Sequence, residues 1–408
     1  MAATHFGSCG RWNTHVPNSS LRGELRRELT AARAATDHLF DVISPDALYQ
    51  RPIEERHRLI FYLGHLDAFD WNLLARRSMS ESSFHPSFDS LFERGIDPAP
   101  GQAPADTKAD WPARAEVGQY NARARHWIDE HLDELDPWVL QMAIEHRLMH
   151  AETLAYLMHN LPYTEKQGES PVAATALPVA PNPLVRIAAG PVRLGTPRDT
   201  FGWDNEHLAH TVDVPEFAIS KYKISNREYL DFVREGGVAP NFWTREQGEW
   251  LWRGMFGAVP LPLDWPVWTT WQQAQAYANW RGLALPAEAQ WQKAAAMQQP
   301  DPARDNFGFE RWDPVPVQAA EDDGNPAAAP VQMTGNGWEW TRDLFAPFAG
   351  FEAHPAYPGY SADFFDGQHY VMKGASPRTG HLLVRPGFRN WFRPEYPYMY
   401  AGFRLVER

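Results

Sequence analysis

The run from Trp138 to Met158 contains no proline or glycine and is rich in Leu, Met, Ala and Glu. That composition over that length commits the segment to helix. Inside it stand His146 and His150, four residues apart. Positions i and i+4 stack on one helical face, so the two imidazoles can aim at one point, which is how helices present paired metal ligands. Spacing alone does not decide the matter, because most histidine pairs at this spacing are ordinary helix residues. Glu152 follows two positions later, about 200° around the helix. It is poorly placed as a third ligand and reads as an outer partner of the ligands or as a surface charge.

A third histidine strengthens the metal reading. Leu59 to Asn72 is a second helical stretch, largely apolar, with His65 in its hydrophobic part. An unpaired imidazole there would be costly to desolvate. A buried histidine bonded to a neighbour is one account of it. The other is that two helices of a bundle bring His65, His146 and His150 to one ion. Three neutral nitrogens with open coordination positions suit Fe(II) or Zn(II).

The 408 residues suffice for two or three domains, and 44% hydrophobic content supports real cores. A net charge of -13 with scattered Lys and Arg argues against nucleic acid or an anionic membrane as partner. No apolar run approaches the length of a transmembrane helix, and the first residues lack the apolar core of a signal peptide. The single cysteine, Cys9, excludes an intrachain disulfide and makes a poor candidate nucleophile. Cytoplasmic residence is the expected default. The sequence sets no oligomeric state.

Taken in order, residues 1–20 read as a disordered tail. Helices are expected at Leu21–Leu39, Arg56–Arg77, Ala115–Leu135 and Trp138–Leu161, giving a four-helix bundle over 21–161. Residues 80–113, full of Pro, Gly and Ser, read as a long loop over the bundle end. His85 within it is a weak further ligand candidate and more simply a surface histidine. Six-proline-and-glycine punctuation marks 162–183 as a linker. Beyond it, over 184–408, short β-like pieces such as Leu184–Ile187 and Val192–Leu194 alternate with Trp-, Gly- and Pro-rich loops. Two helices are expected there, one after the N-cap Ser225 and one after Thr269-Thr270. Eighteen tryptophans, most of them after residue 240, belong to this aromatic-rich half.

The second half resembles the formylglycine-generating-enzyme-like, or sulfatase-modifying-factor, fold. The matching pieces occur in family order: Gly190-Pro191-Val192-Arg193-Leu194-Gly195, the Phe217–Phe232 segment, Pro266-Val267-Trp268 with Ala274, Tyr277 and Trp280, Leu285-Pro286-Ala287-Glu288-Ala289-Gln290-Trp291, Gly335-Asn336-Gly337-Trp338-Glu339-Trp340, Lys373-Gly374-Ala375-Ser376 and Gly402-Phe403-Arg404. The formylglycine enzyme itself needs a reactive cysteine pair, which this domain lacks, so that activity is not expected. The first half resembles a DinB-like four-helix bundle through Phe61-Tyr62-Leu63-Gly64-His65-Leu66 and the His146/His150/Glu152 pattern. The pairing is similar to the sulfoxide synthases of ergothioneine biosynthesis, and the resemblance covers nearly the whole chain from about residue 21. The implied fold class is α+β: a DinB-like bundle followed by a C-type-lectin-like α+β domain with much irregular structure.

That resemblance implies a non-haem Fe(II) held by His65, His146 and His150. It implies an O2-dependent C–S bond between a thiol and the imidazole C2 of a trimethylated histidine (hercynine), with oxidation of the sulfur to a sulfoxide. Tyr357 corresponds to the family's catalytic tyrosine, a phenol able to donate a proton during oxygen chemistry, and Tyr360 to its neighbour. In Phe388-Arg389-Asn390-Trp391-Phe392-Arg393, Asn390 and Trp391 match the family's substrate segment, with Phe392 and Arg393 following. The chain departs from actinobacterial members at Phe392, where they carry aspartate, and at Met149, where they carry a glutamine contacting the substrate imidazole. No arginine pair for γ-glutamyl carboxylates is evident; Arg94 is the only arginine in a comparable loop. Cysteine is therefore the preferred donor over γ-glutamylcysteine. A different histidine derivative or a selenium donor, a zinc-dependent thiol transferase and a non-catalytic binding module stay open at this stage.

Overall fold

In a computed structural model the described residues are 18–95, 105–169, 181–320 and 329–408. The N-terminal part contains α1 (Asn18–Asp41), α2 (Leu59–Asp70, continuing as a π-helical turn through Trp71–Arg77), α3 (Pro86–Arg94), α4 (Arg114–His131) and α5 (Pro137–His159). The bundle is made by the four long helices, with α1 and α2 on α5 and α4 on α2. Asp136 starts α5 by accepting from the Trp138 and Val139 amides (2.8 and 3.2 Å), and Pro137 occupies the first helical position, where its missing N–H costs nothing.

Several expectations are corrected. The tail expected over residues 1–20 is corrected at its end, because Asn18–Ser20 form the first turn of α1; residues 1–17 with Cys9 lie outside the described residues. The stretch 80–113 is not a plain loop, because it carries α3. His85 is that helix's N-cap, its ring accepting from the Phe88 amide at 3.3 Å, away from the other histidines. Helix α2 starts at Leu59 rather than Arg56. The linker is partly docked: Lys166 pairs with Ile43 of the bundle, and a Cβ at Gly168 would meet the Phe256 ring at 2.5 Å. Residues 170–180 of it lie outside the described residues.

The C-terminal part pairs β1 (Leu184–Ile187) with β4 (Phe217–Ser220), and β2 (Gly190–Leu194) with β3 (His210–Val214), both antiparallel. Then come α6 (Asn226–Arg234), a meander of β5 (Trp243–Glu246), β6 (Glu249–Arg253) and β7 (Ala258–Pro260), and helices α7 (Trp271–Trp280), α8 (Glu288–Ala295) and α9 (Pro302–Asp305). Four helices, not two, thus interrupt the strands of the described residues. Capping boxes start α6 and α7: Ser225 with Glu228, and Thr270 with Gln273. The last sheet runs β10 (Asn390–Phe392), β9 (Tyr370–Lys373), β8 (Trp338–Leu344), β11 (Ala401–Gly402).

Strand β8 explains the Gly335–Trp340 motif. Glu339 is fully buried and accepts from Arg404 (3.0 Å), Lys223 (2.5 Å) and the Trp291 indole (3.0 Å). Asn336, at φ +59°, bonds both the N–H and the C=O of Val315. Trp338 is 1% exposed and donates its indole N–H to Glu152 of α5 at 2.7 Å. Trp338→Ala is expected to cost about 3–5 kcal/mol through the cavity alone, with a buried carboxylate also losing a donor. An unchanged melting temperature would contradict this.

The heptad Glu145, Glu152, His159 forms one face of α5 and seats the bundle on the second domain. Glu145 accepts from Arg385 (2.9 and 3.0 Å) and from the Trp203 indole (2.8 Å). Glu152 accepts from Trp338, Ser376 (2.5 Å) and Thr379 (2.9 Å). The two nitrogens of His159 meet the Tyr400 hydroxyl (3.1 Å) and the Arg253 carbonyl (2.7 Å). At Gly380 the approach is close enough that a Cβ would stand 3.0 Å from Leu148.

Candidate metal centre and interdomain cavity

On another face of α5, His146, Met149, His150, Thr153 and Tyr156 follow one another at helical spacing and line a cavity of about 750 Å³. Opposite them stand Tyr357, Tyr360, Phe364, Asn390, Trp391 and Phe392 of the second domain. The cavity thus lies between the two halves, where ligand sites concentrate.

Imidazoles from two helices converge at its base. One nitrogen from each of His65, His146 and His150 lies within 4.8 Å of the others, and the Nε2 atoms of His65 and His150 are 3.2 Å apart. Metal–nitrogen bonds of about 2.1 Å place neighbouring ligand nitrogens about 3.0–3.4 Å apart; the His65/His150 pair already has that spacing, and the three nitrogens together would close on one ion by side-chain adjustment. Burial pushes the His65 imidazole down to about 4 and lowers His146 and His150 well below the usual histidine range. All three are neutral at pH 7, with lone pairs free to coordinate. Nδ1 of His146 and of His150 are buried without hydrogen-bond partners among the described residues. Among the described residues this is the cluster of three or more His, Cys, Asp or Glu side chains able to hold a metal.

His65 is braced from behind. Its Nδ1 meets the Phe92 carbonyl at 2.7 Å, an arrangement that fixes the tautomer with Nε2 as the free lone pair. Phe92 belongs to α3, and it reaches this position because residue 64 is glycine: a Cβ there would stand 2.4 Å from the Phe92 ring. His146 is held by stacking on Phe69 (3.4 Å, 11°). Between the two α5 histidines, Arg147 turns into the bundle and donates to Asp67 (2.5 Å), Asp70 (2.7 Å) and Thr36 (3.3 Å). Asp67 and Asp70 share α2 with His65, so this fully buried ionic knot fixes the rotation of α2 against α5 and with it the convergence of the histidines. Sequence reasoning passed over Arg147, Asp67 and Asp70; their signal was charge inside otherwise apolar helices.

Comparison with known proteins fits this architecture. Residues 172–408 match the family described as sulfatase-modifying factor enzyme 1-like domain, and residues 28–158 match the DinB superfamily. The hercynine oxygenase of Mycolicibacterium thermoresistibile is 28% identical over 94% of this chain and 95% of its own length. That of Mycobacterium tuberculosis is 33% identical over 66% of this chain and 72% of its own. The chain belongs to the hercynine oxygenase family. Ergothioneine biosynthesis protein 1 of Schizosaccharomyces pombe is 27% identical over 90% of this chain, which spans 54% of that relative. As a family member the chain is an oxidoreductase with an α+β, two-domain build, and none of its described helices is long and apolar enough to cross a membrane.

Against this family background the remaining site residues can be placed. Tyr357 stands beside the histidines, its ring centroid 6.1 Å from His146 and 5.3 Å from Phe69. Among the described residues no group bonds its hydroxyl, and burial raises its pKa, so it stays a phenol. Tyr360 stacks on Trp203 (4.0 Å) and donates to the Met149 sulfur at 3.2 Å, so Met149 and Tyr360 brace one another. The loop carrying both tyrosines is tied down at Ser361, which bonds Asp204 and accepts from Asn205 at 2.9 Å. Trp391 stacks flat on Phe345 (4.1 Å, 6°), meets Tyr360 and Phe364 edge-on or tilted, and sits with Asn390 and Phe392 on the edge strand β10. Arg393 is at the cavity rim, half exposed, donating to Gln368 at 3.0 Å. Glu152 requires correction: its oxygens are taken by Trp338, Ser376 and Thr379, not by a histidine, because it points from α5 into the second domain. The side chain of Arg94, at the end of α3, lies outside the described residues.

Proposed function

We propose that the chain is an Fe(II)- and O2-dependent sulfoxide synthase joining a thiol, preferably cysteine, to the imidazole C2 of hercynine. The observation that carries this reading is the convergence of three neutral imidazoles at the base of a cavity whose opposite wall is aromatic. The family relatives named hercynine oxygenase support the acceptor. His65, His146 and His150 would hold the metal. Bound there, Fe(II) with three nitrogen ligands supplies O2 chemistry and favours the thiolate form of a thiol.

The chain's own groups then have separable tasks. The faces of Trp391, Tyr360 and Phe364 offer the weakly hydrated surface that a trimethylammonium, which has no N–H to donate, can bind. The bundle and the second domain together shield the reacting atoms from bulk water. In the overall reaction the imidazole C2–H and the thiol S–H are replaced by a C–S bond. O2 is fully reduced, one oxygen atom going to the sulfoxide and the other, with the two hydrogens, to water. The Tyr357 hydroxyl, without a hydrogen-bond partner among the described residues and on a ring 6.1 Å from that of His146, would hand over a proton.

Tyr357→Phe keeps the ring and should leave substrate binding intact while lowering the ratio of coupled sulfoxide to sulfinic acid. A tenfold fall corresponds to about 1.4 kcal/mol of transition-state stabilisation. An unchanged ratio at unchanged turnover would remove Tyr357 from the chemistry. The iron assignment is tested by metal analysis of protein purified without air, followed by O2 uptake with cysteine and hercynine. Bound zinc and thiol transfer without O2 uptake would overturn the reading in favour of a zinc-dependent transferase.

A further inference from the structure

The cavity is chemically polarised along α5. His146 faces the aromatic end, through Tyr357 and beyond it Tyr360 and Trp391. His150 faces the other end, where the Tyr62 ring lies 5.8 Å away and Tyr156 follows six residues later on the same helix, about 9 Å along its axis. At that end stands Arg56, in the segment just before α2. Its guanidinium lies over the rings of Tyr156 (5.8 Å) and Tyr396 (5.4 Å), and Nε donates to the Tyr396 hydroxyl at 3.2 Å. Among the described residues the two Nη groups have no hydrogen-bond acceptor and Arg56 has no ion pair with a carboxylate. Glu55, exposed on the same rim, does not pair with it. The wall facing this charge is apolar: Phe392 stacks on Tyr396 at 5.0 Å. Arg147, Arg389 and Arg404, and the partly buried Arg385, pair with buried carboxylates, and Arg33 reaches Asp129. Arg378, buried without a carboxylate partner among the described residues, gives Nη1 to the Phe309 and Arg311 carbonyls. Arg56 instead presents a forked pair of donors at the cavity for which the described residues offer no acceptor.

We propose that Arg56 binds the carboxylate of the thiol substrate, fixing that substrate along α5 between the three histidines and the Tyr156/Tyr396 pair. The proposal rests on reading the site as a thiol-coupling oxygenase and adds to it the residue that selects a donor with a free carboxylate. A guanidinium is the side chain suited to this, since its parallel N–H groups match carboxylate geometry. The division of the cavity follows from charge. A cationic betaine head belongs on the aromatic wall beside His146, and an anionic head belongs on the unpaired arginine beside His150.

The test is calorimetric titration of anaerobic, Fe(II)-loaded protein with L-cysteine and with cysteamine, which is cysteine without its carboxylate. The parent should bind cysteine the more tightly. Arg56→Gln should weaken cysteine binding on the order of 10- to 100-fold and leave cysteamine binding unchanged, so that the variant no longer distinguishes the two. Arg56→Lys, which keeps the charge without the fork, should restore part of the difference and serves if the glutamine variant melts at a lower temperature. Equal weakening of both thiols, or cysteine binding as tight as in the parent, would overturn the proposal. So would a loss seen with hercynine but not with its decarboxylated analogue, which would assign Arg56 to the betaine. These titrations need no turnover. A parent protein that makes no coupled product with hercynine would refute the reaction while the titrations still decide on Arg56.

Discussion

Replacing His150 with alanine is expected to empty the metal centre, lowering bound iron on the order of 100-fold or more and abolishing O2 uptake with substrates. Loss of a hydrogen-bonded partner behind a ligand already costs about 10–100-fold in metal affinity, and His150 is itself one of only three donors brought together. The same holds for His65 and His146. The effect should be confined to the metal, because none of the three bonds the second domain: His65 leans on Phe92 and His146 on Phe69. The cavity left by a buried imidazole lowers the melting temperature of each variant to some degree, so iron is measured per folded protein. Any one histidine-to-alanine protein that retains iron as the parent does would show that the three do not form one site.

The second large effect is expected at the seam between the halves. Arg385 bridges Glu145 of α5 and Glu206 of the second domain, both carboxylates fully buried. Nε and Nη2 of Arg385 reach Glu206 at 2.9 and 2.5 Å while Nη1 and Nη2 reach Glu145. Burial alone would raise the Glu206 carboxyl, but the Arg385 charge outweighs it and holds the group below its usual range. Arg385→Ala leaves two buried carboxylates facing each other without a counter-charge. Breaking a buried pair in this way costs about 3–5 kcal/mol. Since the cavity wall is built from both halves, coupled turnover should fall with stability, and residues 1–163 expressed alone should be inactive. A variant that melts with the parent and turns over normally would show that Arg385 does not hold the seam.

Much of this was legible in the sequence for a physical reason. The two helices bearing histidines are largely apolar, and Trp138–Met158 of α5 is free of Pro and Gly, so both their conformation and the meaning of a polar residue within them could be read directly. The caps at Ser225 and Thr270 were equally readable, because a side-chain acceptor followed at the third position by Glu or Gln serves the exposed amides of a helix start. Helix α3 was hidden by its surroundings, although His85-Pro86 at its start and Gly95, at φ +77°, at its end are the punctuation of a short helix. Helix α9 has four residues, too few for any periodicity. The heptad Glu145, Glu152, His159 was overlooked because polar residues on a helix are usually solvated, and only the second domain's donors reveal that face as an interface. Arg56 stands at the start of the expected helix Arg56–Arg77 but just outside the observed α2, and its lack of a carboxylate partner among the described residues is a property of three-dimensional packing alone.

The most direct measurement is mass spectrometry of the products formed from cysteine and hercynine by Fe(II)-loaded protein under heavy-isotope O2. The account predicts a coupled sulfoxide whose sulfoxide oxygen carries the isotope, formed only when both substrates, iron and O2 are present, and absent when His65, His146 or His150 is alanine. A protein that converts the thiol without joining it to the imidazole, or that forms the C–S bond without incorporating oxygen from O2, would contradict it.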